Sequence, residues 1–249
     1  MKVSIITSVF SNKAYLPDAI ESVLSQTHTD IEYIIVDGDS KDGTIDVVKS
    51  YGNKISKFIT EPDEGVYFAL NKGINIATGD IIAILHSDDF YVNKTVISQV
   101  VEAFENNHID AVYANLYYVS NKNKNKIVRT WDAGIYTPNS FYFGWMPPHP
   151  AFFVKRDVYV KHGAFNTNLK FAADYELMMR FILKQKIKLH YIPKFFVKMR
   201  TGGASNRNIT NRIKANIEDR MAWKLNNVKP RWYTLLLKPF IKIFQYRLG

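Results

Sequence analysis

Apolar and polar positions alternate between two periods along the chain. Five consecutive apolar residues, Ile81-Ile82-Ala83-Ile84-Leu85, run into the polar His86-Ser87-Asp88-Asp89. A continuous run of that length suits a strand buried on both faces of a parallel sheet. Val3 to Val9 and Ile31 to Val36 read as further strands, and Ile55 to Ile59 as a short one. Between them the period changes. Tyr15-Leu16, Ala19-Ile20 and Val23-Leu24 recur at helical spacing and predict a helix to about Gln26. A second helix opens at Asp42-Gly43-Thr44, and a third spans Gly65 to Ala77 before Gly79. Val96 to Phe104 is helical and Ala111 to Ala114 strand-like. This alternation predicts an α/β fold, a Rossmann-like, mostly parallel sheet flanked by helices.

After Asn115 the pattern changes. Leu116 to Trp131 predicts a hairpin around the polar Asn121–Lys126, and Gly134 to Pro150, rich in aromatics and proline, predicts loop. Ala151–Val154 predicts a short strand, Ala172–Leu183 an amphipathic helix, and Leu189–Ile192 and Phe195–Met199 two strands. Three regions follow: 1–115, 116–205 and 206–249. In the last, Ile209, Ile213, Ile217, Met221 and Leu225 recur every four residues as one apolar stripe. Beyond Pro230, Trp232, Tyr233, Phe240 and neighbouring aliphatics interleave with Arg231, Lys238, Lys242 and Arg247.

Charge sharpens that division. The 249 residues carry 33 Lys/Arg and 23 Asp/Glu, a net +10. From Asn206 onward ten Lys/Arg face only Glu218 and Asp219, so this region holds +8 and the rest about +2. The basic region suits the surface of an anionic bilayer, or is a helix packed on the body. A nucleic-acid module is disfavoured, because the charge lies in the tail and no recognised nucleic-acid motif occurs. No cysteine is present, which excludes disulfides and thiolate metal sites. Met1-Lys2 leads directly into the first strand, leaving no room for a signal peptide, and no stretch has the ~18 apolar residues of a spanning helix.

Three loops, Ser8–Asn12, Asp37–Ser40 and His86–Asp89, follow predicted parallel strands and should open on one edge of the sheet. Asp88 and Asp89 offer hard oxygen ligands suited to Mn2+ or Mg2+ shared with substrate phosphates. The competing reading is a solvated Asp-Asp turn. Asp37 could grip nucleoside hydroxyls, or cap a turn.

Thr7-Ser8-Val9-Phe10-Ser11-Asn12, Ile35 to Thr44, Asn71-Lys72-Gly73-Ile74, Ala77-Thr78-Gly79-Asp80 and His86–Asp89, in this order, resemble the family 2 glycosyltransferases of GT-A fold. Glu61-Pro62-Asp63-Glu64-Gly65-Val66-Tyr67 is similar to the bacterial enzymes that build O-antigen, capsule and colanic-acid-type polysaccharides. The likeness covers roughly residues 1–205. It implies an inverting, metal-dependent transfer of a hexose-type sugar from a nucleoside-diphosphate sugar, a UDP-sugar first, to a lipid-linked or growing glycan acceptor. Residues 1–115 would bind the donor and 116–205 the acceptor. Thr7 and Val9 would line the base, Asp37 or the displaced Asp39 would hold the nucleoside, and Lys72 would join the substrate contacts. Asp89 would be the principal metal ligand with Asp88 beside it. Asp174 would be the general base, with Glu176 as its alternate. Arg200, beside Thr201–Ser205, would neutralise the leaving diphosphate, and His149 would sit near the acceptor. Two positions depart from the family pattern: Gly38 replaces the second acid, and Phe68 stands where the subgroup tends to carry Asp. The implied location is cytoplasmic, peripheral at the inner face of the membrane. The alternatives are a non-catalytic sugar-nucleotide binder and a basic nucleic-acid-binding protein.

Overall fold

The computed structural model describes residues 1–202 and 209–234, without the side chains of 209–212. The first half builds β1 (Val3–Val9), α1 (Leu16–Leu24), β2 (Ile31–Asp37), α2 (Thr44–Ser50), β3 (Lys57–Thr60), α3 (Val66–Ile76) and β4 (Ile81–Ile84). β1 lies between β2 and β4, with β3 outside β2, and these pairings are all parallel. The chain thus leaves β1 in one direction and returns on its other side. That reversal puts the crevice for ligands between the carboxyl ends of β1 and β4.

The second half adds β5 (Phe90–Tyr91), α4 (Val96–Asn106), β6 (Ala111–Val119), β7 (Ile127–Trp131), β8 (Phe152–Lys155), α5 (Arg156–His162), α6 (Ala173–Met178), β9 (Leu189–Arg200) and α7 (Ile209–Leu225). The full order is β3-β2-β1-β4-β8-β6-β9-β5, with β7 on β6. Beyond β4 the sheet is mixed: β8 runs antiparallel to β4 and β6, while β9 is parallel to β6. The two expected halves meet inside β6, so they share one sheet.

Several elements differ from expectation. The two strands expected after residue 188 are one, β9. Its partners along β6 jump from Ile192 to Phe195 between Ala114 and Asn115, so Pro193 and Lys194 bulge out of the ladder. Proline has no N–H to give, and a bulge spares the sheet that loss. β5 and α5 are additional to the sequence reading, being too short for a period to show. The helix expected over 172–183 is α6 followed by a π-helical turn, Met179–Lys184.

Each central strand feeds both faces. Ile5, Ile35 and Ala83 pack with Leu16, Ile20 and Val23 of α1 and Val96, Val100 and Phe104 of α4. Ile6, Ile34 and Ile82 pack with Leu70 and Ile74 of α3 and with Tyr175 and Leu177 of α6. This is the two-residue alternation of a strand covered on both sides. α3 lies so close to β1 that a Cβ at Gly73 would run into the Ile6 side chain.

α7 packs on α6 through fully buried Ala222 and Trp223, the indole donating to the Tyr175 hydroxyl at 3.1 Å. Its stripe of Ile213, Ile217, Met221 and Leu225 is exposed. Among the described residues, no helix is long and apolar enough to cross a membrane. Lys238, Phe240, Lys242 and Arg247 lie outside the described residues.

Candidate active site

The three loops that follow β1, β2 and β4 do open on one edge, and side-chain bonds tie them together. Asn12 Nδ2 donates to Ser87 Oγ at 2.8 Å, the Ser11 N–H to Ser40 Oγ at 2.7 Å, and the Asn12 N–H to Thr44 Oγ1 at 3.0 Å. A cavity of about 590 Å³ lies above them. That size suits a nucleotide-sized ligand. Ser8, Val9, Phe10 and Gly38 form one wall, and His86–Asp89 the floor. Asp63–Tyr67, His149, Lys170, Phe171 and Asp174 close the other side.

Asp89 is fully buried, and neither carboxylate oxygen has a hydrogen-bond partner. Burial pushes its pKa well above the usual carboxylate range, and Asp88 beside it adds to the rise, with the backbone N–H and charge of Arg200 only partly opposing it. A buried acid with two idle oxygens is costly unless something else meets it. The hard oxygens of Asp88 and Asp89 fit a divalent cation. Among the described residues no group of three or more His, Asp or Glu gathers to hold an ion. Magnesium-like sites commonly use one or two carboxylates and complete the shell with substrate phosphates. The pair therefore fits a metal that arrives with, or is completed by, a diphosphate.

Asp174 faces the same cavity from the first turn of α6. Its Oδ1 accepts the Tyr175 N–H at 2.8 Å, with the Tyr67 hydroxyl at 3.4 Å. Burial and the nearby Asp174 drive the Tyr67 phenol well above its ordinary pKa, so it stays protonated. His86 and His149 meet Nε2 to Nε2 at 2.6 Å. Burial lowers both imidazoles to about 4, and His149 adds to the fall at His86. Both rings are neutral near pH 7, one nitrogen donating and the other accepting.

Other expected site residues have different neighbours. Val9 lines the cavity, but Thr7, two residues deeper in β1, is buried with its hydroxyl 3.1 Å from that of Tyr33. Asp37 is fully buried behind Gly38. One of its oxygens accepts the Ser40 N–H at 2.9 Å and the Thr60 hydroxyl at 3.0 Å, while the other is unpartnered. Asp39 points away and pairs with Lys41 at 2.5 Å. Lys72 pairs with Glu61 and Asp63 at 2.6 and 2.5 Å. Arg200 is buried outside the cavity wall: it donates to the Asp88 carbonyl at 2.8 Å, pairs with Asp18, and stacks over Tyr15 and Phe90. In this arrangement it braces the Asp88–Asp89 loop from behind. The Gly203–Ser205 part of the expected phosphate-facing loop lies outside the described residues.

Glu176, the alternate base, is also committed. It grips Arg180 at 2.9 Å and accepts from Asn226 at 3.1 Å. Tyr142, Phe143 and Trp145 do not line the cavity; Tyr142 packs on Trp223 and Phe143 on Tyr233. The sequence reading missed Phe10, an exposed ring on the cavity lip, and its link to Gly38, where a Cβ would come 3.2 Å from that ring. A large exposed aromatic directly after a strand was the available signal. Lys170 and Phe171 carried none.

Residues 4–173, more than half of the chain, match the family model described as "Glycosyl transferase family 2". The chain belongs to that family. It is a glycosyltransferase with the family's α/β GT-A fold. A PGL/p-HBAD biosynthesis glycosyltransferase of Mycobacterium bovis is 28% identical over 182 residues, covering 71% of this chain and 68% of that protein. An uncharacterised glycosyltransferase of Nostoc sp. is 35% identical over 127 residues, 50% of this chain but only 39% of the relative's length. Among solved structures, S. aureus TarS 1–349 in complex with UDP-GlcNAc superimposes with a TM-score of 0.70 at 16% identity, over 100% of this chain and 68% of that one. The mannosyltransferase PcManGT of Pyrobaculum calidifontis, in complex with GDP-Man and Mn2+, gives 0.67 at 16% identity, over 96% and 68%.

Proposed function

We propose that this glycosyltransferase moves a hexose-type sugar, with inversion, from a nucleoside-diphosphate sugar to a lipid-linked or growing glycan acceptor in surface polysaccharide synthesis of the O-antigen type. The observation that carries the reading is the pairing, across one cavity, of Asp89 with two idle buried oxygens and Asp174 with a free edge. Asp88 and Asp89 would hold Mn2+ or Mg2+, which when bound supplies positive charge to the donor's diphosphate. Asp174 takes the proton of the acceptor hydroxyl as its oxygen bonds to the anomeric carbon. The bond from that carbon to the diphosphate breaks, and the nucleoside diphosphate leaves with the electron pair. Val9 and Phe10 give the base an apolar wall, and Asp37, with one buried and unpartnered oxygen, stands behind Gly38 on the nucleoside side. The neutral His86–His149 pair offers hydrogen bonds on the side of the cavity nearest Asp174.

A UDP-sugar is the first donor to test, in line with the UDP-GlcNAc bound by TarS, and a GDP-sugar the second, in line with the GDP-Man of the Pyrobaculum enzyme. The exposed apolar stripe of α7 and its basic neighbours favour an enzyme peripheral at the cytoplasmic membrane face, where a lipid-linked acceptor is confined. The deciding experiment screens UDP-, GDP- and dTDP-sugars with Mn2+ by calorimetry, then repeats the best in Asp89→Ala. Metal-dependent binding should be lost while the melting temperature does not fall, since burial and the neighbouring Asp88 outweigh what Arg200 gives the Asp89 carboxylate. Unchanged metal-dependent binding in the variant would sink the metal assignment.

A further inference from the structure

Glu218 lies on α7, in the C-terminal region, yet its carboxylate reaches the segment directly ahead of α6. Oε1 accepts the Lys170 N–H at 3.0 Å. Oε2 accepts the N–H groups of Phe171 and Ala172 at 2.7 and 2.9 Å. N–H groups at a helix start have no partner within the helix, and Ala172, the residue before α6, has no side chain to cap one. A carboxylate at this end also matches the helix dipole. α7 is itself fixed to α6: Trp223 donates to the Tyr175 hydroxyl at 3.1 Å, and Asn226 to Glu176 at 3.1 Å. The segment so held is functional surface, since Lys170 and Phe171 line the cavity and Asp174 follows in the first turn.

We propose that Glu218 is a positioning residue for sugar transfer: one carboxylate, delivered by α7, holds the backbone of residues 170–172 and through it sets Asp174 and the Lys170–Phe171 wall. Glu218 does not line the cavity, and it acts through Asp174 without touching the donor. The inference rests on Asp174 being the base. A displacement of about 1 Å at a reacting group can cost 10²-fold in rate. Three lost hydrogen bonds next to Asp174 allow that much movement.

The test uses the full chain as Glu218→Gln, Glu218→Ala, Asp174→Asn and the Glu218→Ala/Asp174→Asn double variant. Turnover is read as nucleoside diphosphate released from the sugar nucleotide that the parent uses. UDP binding with Mn2+ is measured alongside, with amide hydrogen exchange at residues 170–172. Glu218→Ala should lower kcat by about 10- to 10²-fold with the donor KM and UDP affinity within about twofold. Exchange at Lys170, Phe171 and Ala172 should quicken. Glu218→Gln keeps one carbonyl oxygen in place of Oε2 and should recover part of the rate. The double variant should be no slower than Asp174→Asn alone, since the clamp has then nothing to position. Multiplied losses in the double variant, equal rates for Gln and Ala, or a kcat that falls only as UDP binding falls would overturn the proposal. Full activity in Asp174→Asn would overturn the assignment of the base instead, and the clamp's role with it.

Discussion

Asp174 and Glu176 stand two residues apart, and their neighbours give them different tasks. Asp174 opens on the cavity; Glu176 is buried and closes a bidentate ion pair with Arg180, which also ties down the carbonyls of His162, Gly163 and Ala164. Asp174→Asn should reduce turnover by about 10²-fold or more, the scale of a lost general base, and leave nucleotide binding unmoved. Glu176→Gln should instead destabilise the fold in denaturant titration, because the half-buried Arg180 loses its counter-charge. Survival of turnover in Asp174→Asn together with its loss in a folded Glu176→Gln would reverse the assignment. A second acid works at the opposite edge of the sheet. Burial tends to raise the Glu32 pKa, but Lys57, Ser4 and Thr78 all bind its carboxylate and hold it at about 2, below the ordinary 4.5. A depressed folded pKa contributes stability above the unfolded value, and that contribution is lost as pH falls through the folded one. Glu32→Gln should therefore be less stable than the parent near neutrality, and the gap should narrow between about 4.5 and 2. A gap that stays constant across that range would mean the charge contributes nothing.

At the scale of elements, α7 shows how much a helix's partners matter. Its four-residue apolar period is plain in the sequence, yet the face it buries is the other one, carrying Ala222, Trp223 and Asn226. The reason lies in α6: Tyr175 and Glu176 present a hydroxyl, a carbonyl and a carboxylate oxygen that Trp223 and Asn226 meet with hydrogen bonds. Trp223→Ala should cost about 3–5 kcal/mol by chemical denaturation, as for other large buried aromatics. A cost below about 1 kcal/mol would show that α7 is dispensable to the body. β9 gives the converse case. Pro193 interrupts its alternation, which reads as two strands, while pairing with β6 that resumes past the bulge makes one.

For the whole molecule, the net +10 is placed, not spread. Both acids of α7 turn inward, Glu218 to residues 170–172 and Asp219 into a buried position, while Lys214, Arg220 and Lys224 are exposed beside the apolar stripe. Each cation near an anionic bilayer contributes about 1 kcal/mol, weakened by salt. Ile213→Glu/Ile217→Glu should free the protein from anionic vesicles in co-sedimentation at physiological salt, and leave its melting temperature and soluble-donor turnover unchanged. Equal sedimentation of parent and variant would remove α7 from the membrane reading.

The alternation of strand and helix, the strand ends that carry Asp37 and Asp88–Asp89, and the helix that carries Asp174 are all local patterns, and the sequence alone determines them. Periodicity records which face of an element is apolar, and a strand followed by polar residues marks where a loop must open. Whether a side chain at such a place is free is decided by its neighbours in space. Thr7 is taken by Tyr33, Lys72 by Glu61 and Asp63, and Arg200 by Asp18 and the Asp88 carbonyl, all partners that only folding brings near. The same holds for what the cavity gained: His86 meets His149 from 63 residues away, and Glu218 meets Phe171 from 47. Hydrogen bonds and ion pairs act over about 3 Å, and a one-dimensional pattern carries no record of such distances.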